Sequence, residues 1–112
     1  MTEITIFYQK KDSIIGFSVS GHSGYSEKGS DIVCSAVTTA AMTTVNGITD
    51  IVGIKAKVKV RDGFLECILP KKLTITEEYG AKVLIDSMYL TLKNIEQQYK
   101  DYVVIIERRC SR

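Results

Sequence analysis

Between Asp31 and about Val52 the chain carries apolar residues round much of a helix's circumference, and a helix of that kind cannot stand on a surface uncovered. Val33, Val37, Ala40, Ala41, Thr44, Ile48 and Ile51 follow helical spacing, and Ile32, Ala36, Met42 and Val45 widen the apolar arc. Ser30 is available as the N-cap. Such a helix needs cover on more than one side. A chain of 112 residues struggles to supply all of it, so the flanks of this helix also suggest a partner surface.

The cover within the chain comes from strands. Thr2 to Gln9 and Ile14 to Ser20 alternate apolar and polar residues, with Ile4, Ile6 and Tyr8 on one face of the first and Ile15, Phe17 and Val19 on one face of the second. Lys10–Ser13 between them reads as a hairpin turn. Ile54, Ala56, Val58 and Val60 alternate with Lys55, Lys57, Lys59 and Arg61. Asp62-Gly63 is a two-residue hairpin signal, and Leu65, Cys67 and Leu69 continue the apolar face on the return strand until Pro70. Thr74-Ile75-Thr76-Glu77 fits a capping box, after which Tyr79 or Ala81, Leu84, Ile85, Met88, Leu92, Ile95 and Tyr99 mark an amphipathic helix to about Lys100. Tyr102 to Glu107 forms a last strand.

The expected order is β-β-α-β-β-α-β, and the expected class is α+β: two layers, a mainly antiparallel sheet with two helices packed on it, forming one domain over residues 1–112. Strand order does not follow from the pattern. With 45% hydrophobic and 25% charged residues the composition is that of a globular domain. No apolar run approaches the roughly 18 residues of a membrane span and no charged-then-apolar leader opens the chain, so a cytoplasmic protein with no membrane partner is expected. Three cysteines at 34, 67 and 110, an odd number without a CxxC pair, argue against a disulfide framework and a structural zinc site. No metal and no cofactor are expected.

Chemistry concentrates in one segment, Gly21-His22-Ser23-Gly24-Tyr25-Ser26-Glu27-Lys28-Gly29-Ser30-Asp31-Ile32-Val33-Cys34. It holds the only histidine of the chain, glycines that let the loop fold back, and a thiol that reads as lying in the first turn of the helix. A helix start presents unpaired N–H groups and partial positive charge, which favour a thiolate and offer donors to an oxyanion. A nearby imidazole can take and return a proton. Cys34 is thus the candidate nucleophile and His22 its general base and acid. Asp31, one turn before Cys34, is a possible orienting residue for His22, although an Asp there also serves simply to stabilise the helix start.

Gly21-His22, then Gly29-x-Asp31-Ile32-Val33-Cys34 and a small-residue helix, resembles the signature of the ribosomal-processing cysteine protease family, Prp, with length and element order alike over essentially the whole chain. Ser35 and Thr38 stand where that family commonly has Ala and Ser, both small. The resemblance implies a cysteine endopeptidase that removes the N-terminal extension of a large-subunit ribosomal protein, with Cys34 as nucleophile and His22 as base. It also implies a homodimer.

The remaining features have plainer readings. Cys67 alternates with core residues, and Cys110 lies in a polar tail. The Gly- and Ser-rich loop from Ser23 to Ser30 reads either as a lid that orders over substrate or as a flexible connection. Lysines on the strand from Lys55 to Arg61 are a solvated face that guards an edge, or an electrostatic footprint for RNA, together with Arg108, Arg109 and Arg112. No aromatic residues alternate with them to stack on bases, so nucleic acid is only weakly indicated. The alternative to an enzyme is therefore a non-catalytic ribosome- or RNA-binding module. A thiol redox sensor is a third reading, which lacks a resolving cysteine.

Overall fold

The alternating segments form the sheet that the pattern requires. In the computed structural model, which describes residues 1–10, 13–21 and 28–111 with the side chains of 28–31 excepted, β1 (Thr2–Tyr8) pairs antiparallel with β2 (Ile14–Ser20). Ile4 lies opposite Val19 and Ile6 opposite Phe17, which puts the apolar side chains of both strands on one face. β3 (Lys57–Arg61) and β4 (Phe64–Ile68) make the second hairpin, and β4 joins β2 with Phe17 opposite Cys67 and Val19 opposite Leu65. β5 (Val103–Arg109) returns parallel to β1. The sheet order is β3-β4-β2-β1-β5, with three antiparallel pairings and one parallel.

Helices α1 (Lys28–Asn46) and α2 (Ile75–Gln98) cover the apolar face. A π-type segment, Gly47–Val52, prolongs α1 and ends at Gly53 in the left-handed region, φ +87°. From these helices Val33, Val37, Ala41, Val45, Ile48, Ala81, Ile85, Met88 and Leu92 join Ile4, Ile6 and Phe17 in one core. The helices run antiparallel, with Gly47 against Leu84 and Gly80 against Val52. A Cβ on Gly47 would stand 2.9 Å from Leu84 Cδ1, so a larger residue there would require the Leu84 side chain to shift. The Thr74 capping box forms as the sequence predicts: Thr74 Oγ1 accepts from Glu77 N–H at 3.1 Å and Thr74 N–H donates to Glu77 Oε1 at 2.9 Å.

The α+β class and element order are those expected, and four details differ. First, α1 is already helical at Lys28, so Ser30 is inside it rather than its N-cap. Second, β3 is confined to Lys57–Arg61, because Ile54 and Ala56 turn into the core through a bond from Ala56 N–H to Ile54 C=O, leaving Val58 and Val60 37% and 60% exposed. Third, β5 begins one residue later and ends two residues later than expected, at Val103–Arg109. Fourth, the helix through Ile32–Val52 is by length and composition able to cross a membrane, where the sequence reading found no such run. Its apolarity is accounted for by the core positions Val33, Val37, Ala41, Val45 and Ile48, all buried here. Lys11 and Asp12 of the first hairpin turn lie outside the described residues.

Candidate active site

Cys34 stands on the flank of α1 that faces the second hairpin, and its side chain is half-buried. Thr38 and Met42 follow at one-turn intervals, so the three line one wall of a groove of about 310 Å³. The opposite wall is the hairpin tip, Val60, Arg61, Asp62, Gly63 and Phe64, and the floor is Val19 and Leu65. Gly21 closes the end of the groove beside the last residue of β2. Its N–H donates to the Gly63 carbonyl at 3.0 Å, and its φ of +94° is one that side chains rarely adopt. The guanidinium of Arg61 lies over the Phe64 ring, 4.9 Å from its centroid, which stiffens the rim.

His22 and the loop through Glu27, which carry the proposed base and most of the proposed lid, lie outside the described residues, as does the side chain of Asp31. What the fold does place is the chain leading to the histidine. Gly21 lines the groove that holds Cys34, and His22 is the next residue, one Cα–Cα step of about 3.8 Å away.

The helix start is earlier than the sequence suggests, which changes one part of the chemistry. Lys28 is already helical, so Cys34 lies six residues further along the helix, in its second turn or deeper instead of the first. The unpaired N–H groups expected around Cys34 thus sit at least about one turn before it.

The other thiols separate cleanly. Cys67 is fully buried, and that burial pushes its thiol up to about 11. Cys110 is half-buried in the segment after β5, with its N–H bonded to the Tyr8 carbonyl at 2.7 Å. Among the described residues no group of His, Cys, Asp and Glu is arranged to hold a metal ion. The basic residues do not gather into one patch. Lys57, Lys59 and Arg61 lie on β3 and Arg108 and Arg109 on β5, the two opposite edges of the sheet, about 19 Å apart at ordinary strand spacing. Arg112 lies outside the described residues.

Residues 1–104 match the family model described as Cysteine protease Prp. The chain belongs to the Prp cysteine protease family. Membership decides for a cysteine protease over a non-catalytic binding module. A curated Prp relative, the ribosomal processing cysteine protease Prp of Bacillus subtilis (strain 168), is 29% identical over 103 residues, covering 90% of this chain and 92% of the relative. Among solved structures, the S. aureus ribosomal processing protease Prp in complex with a substrate peptide superposes with a TM-score of 0.83 at 19% identity, over 96% of this chain and all of that one. The same S. aureus protease with a covalently linked product peptide gives a TM-score of 0.80 at 20% identity, with the same coverage of 96% and 100%. At these identities the structural likeness establishes the Prp fold. A groove beside the helix start is the expected seat of an extended peptide, but the residues that line it could not be read from the sequence, since they depend on how the β3–β4 tip stands against α1 and no local pattern encodes that.

Proposed function

We propose that this chain removes the N-terminal extension of a large-subunit ribosomal protein, with Cys34 as nucleophile and His22 as general base and acid. The observation that carries the reading is the shared groove: a half-buried thiol on α1 faces a mostly apolar cleft whose end is formed by the residue preceding the only histidine. The name of the Bacillus subtilis relative supports the ribosomal substrate.

In this mechanism His22 takes the Cys34 proton as the sulfur attacks the scissile carbonyl carbon. A C–S bond forms and the carbonyl electron pair moves onto oxygen. When the tetrahedral adduct collapses, the C–N bond breaks and His22 gives its proton to the leaving amine. Water, activated by the same imidazole, then releases the acyl group and regenerates the thiol. Asp31 serves as the orienting residue for His22; an Asp31→Asn variant within a few-fold of wild-type activity would remove that role.

We further propose that the protein is cytoplasmic and acts as a homodimer. The dimer is supported by apolar side chains left uncovered on the helices, Ile32 at 67% and Ile51 at 83% exposure. Sedimentation as a monomer at micromolar concentration would refute it.

The test of the activity is mass spectrometry of the organism's own large-subunit ribosomal proteins after incubation with wild type, Cys34→Ala and His22→Ala. A single N-terminal truncation made by wild type and lost in both variants is expected. Truncation that persists in Cys34→Ala would overturn the assignment.

A further inference from the structure

The two edges of the sheet are finished differently. On β5 the backbone is engaged: Ile105 N–H donates to Glu96 Oε2 at 2.8 Å, and Lys93 stands 3.4 Å from the other oxygen of that carboxylate. β3 has no such cover. All five of its residues are exposed, and no described group bonds to its outer side. The hairpin tip fixes which backbone groups face outward. Arg61 lies opposite Phe64 across the two-residue turn, and residues flanking such a turn are the hydrogen-bonded pair. Alternation then directs the N–H and C=O of Lys57, Lys59 and Arg61 toward β4, and those of Val58 and Val60 toward the open edge.

Side chains add a second asymmetry. Val58 and Val60 lie opposite Cys67 and Leu65 and so point to the helix-covered face, where Val60 lines the Cys34 groove. Lys57, Lys59 and Arg61 point to the other face. The edge therefore runs out of the candidate active site with free hydrogen-bonding groups, an apolar strip on the side of the thiol and a cationic strip on the other.

Resting on the protease reading of that groove, we propose that the substrate's extended segment docks as a sixth strand on the open edge of β3, bonded to the outward N–H and C=O of Val58 and Val60. The occupant is an extended peptide because its backbone must supply the complementary donors and acceptors, and because the edge is continuous with the groove in which a peptide bond would meet Cys34. Its residues opposite Val58 and Val60 place their side chains over the apolar strip. The residue between them faces Lys59, where a Lys or Arg would be repelled and an acidic or neutral side chain accepted. The charges on β3 thus keep their role of discouraging chance sheet-to-sheet pairing while filtering the strand that is admitted.

The experiment measures binding of a peptide that spans the cleavage junction of the ribosomal protein to the Cys34→Ala protein, by fluorescence anisotropy, with each backbone amide N-methylated in turn. Beyond the groove the dissociation constant is expected to rise about tenfold at every second amide and by less than about twofold between them. Val58→Pro, which removes an outward N–H without touching the β4 ladder, is expected to flatten the period at its own position. A scan with no period of two would overturn strand addition, as would a Val58→Pro variant that binds the peptide like its parent while sedimenting differently, the mark of an edge used between copies. Failure of the protease reading shows separately, as absent cleavage by the wild-type protein.

Discussion

Gly16 is the residue whose substitution tests the packing of the sheet most severely. It lies in β2 with Ile68 of β4 as its register partner and Phe7 of β1 on its other side. A Cβ built there falls on the Cys67 carbonyl oxygen and stands 2.8 Å from Ile68 Cδ1 and 3.0 Å from Ile68 Cα. The Ile68 methyl can rotate away. The carbonyl cannot, because β4 is paired on both sides, to β2 and to β3. Gly16→Ala must therefore open the β2–β4 ladder locally. Overpacking against side chains costs about 1–3 kcal/mol, and a backbone obstacle puts this case near the top of that range. The loss of chain entropy in the unfolded state returns about 0.7 kcal/mol, which leaves a net destabilisation of about 2 kcal/mol. For a domain of this size that is a fall of about 8–16 °C in Tm.

The assay is urea unfolding followed by circular dichroism, with wild type, Gly16→Ala and Gly53→Ala compared at equal m-value. Gly53 is the control because its φ is +87° and nothing lies within 4 Å of an added Cβ, so its substitution carries the dihedral cost alone, about 1 kcal/mol. Gly16→Ala is expected to be the less stable variant by about 1 kcal/mol. A Gly16→Ala midpoint at or above that of Gly53→Ala would refute the contact argument.

Three further outcomes follow from the thiols and the groove. Iodoacetamide at pH 8 is expected to label Cys34 in the folded protein and Cys67 only after unfolding, and stability is expected to fall between pH 9.0 and about 11, because the unfolded Cys67 releases its proton across a range where the buried one keeps it; the loss approaches an order of 3 kcal/mol, and a Cys67→Ala variant with the same alkaline slope would contradict this. Thr38→Phe, one turn from Cys34 with its side chain exposed into the groove, is expected to leave the fold intact and lower kcat/KM on a peptide by about tenfold or more through KM, as fluorescence cleavage assays would show; an unchanged KM would mean that the peptide does not cross this wall.

Most of the fold was legible because it is written in short-range periodicity. The Thr74 capping box, the Asp62-Gly63 turn and the alternation of Ile4 and Ile6 with Phe17 and Val19 each carry their instruction within a few residues, and each forms. What failed to show is what depends on distant partners. Val58 and Val60 have the same alternating pattern as Leu65 and Cys67, yet only the latter pair is buried, because the helices do not extend over the edge strand. Similarly, nothing near Val103–Arg109 announces that it will run parallel to β1, since that direction is set by the path of α2 across the sheet. Ser30 is an acceptable N-cap on local grounds, but Lys28 and Gly29 before it are already helical, and with that the position of Cys34 relative to the helix end is altered.

The second-turn position of Cys34 has a consequence for how the site divides its labour. A thiol in the first turn would draw its activation and its oxyanion donors from one helix end, and the loop would supply only a base. One turn further in, the helix end acts on it weakly, and the thiol is held instead by a rigid flank whose neighbours Val33 and Val37 are buried in the core. α1 then fixes the position of the proposed nucleophile and the β3–β4 tip fixes the groove, while proton transfer is the role proposed for His22. Because core packing and the hairpin tip place Cys34 and its groove, loss of the proposed base is expected to leave peptide binding intact. His22→Ala is expected to keep the wild-type KM and lose kcat, and a raised KM with unchanged kcat would mean that His22 positions the substrate instead.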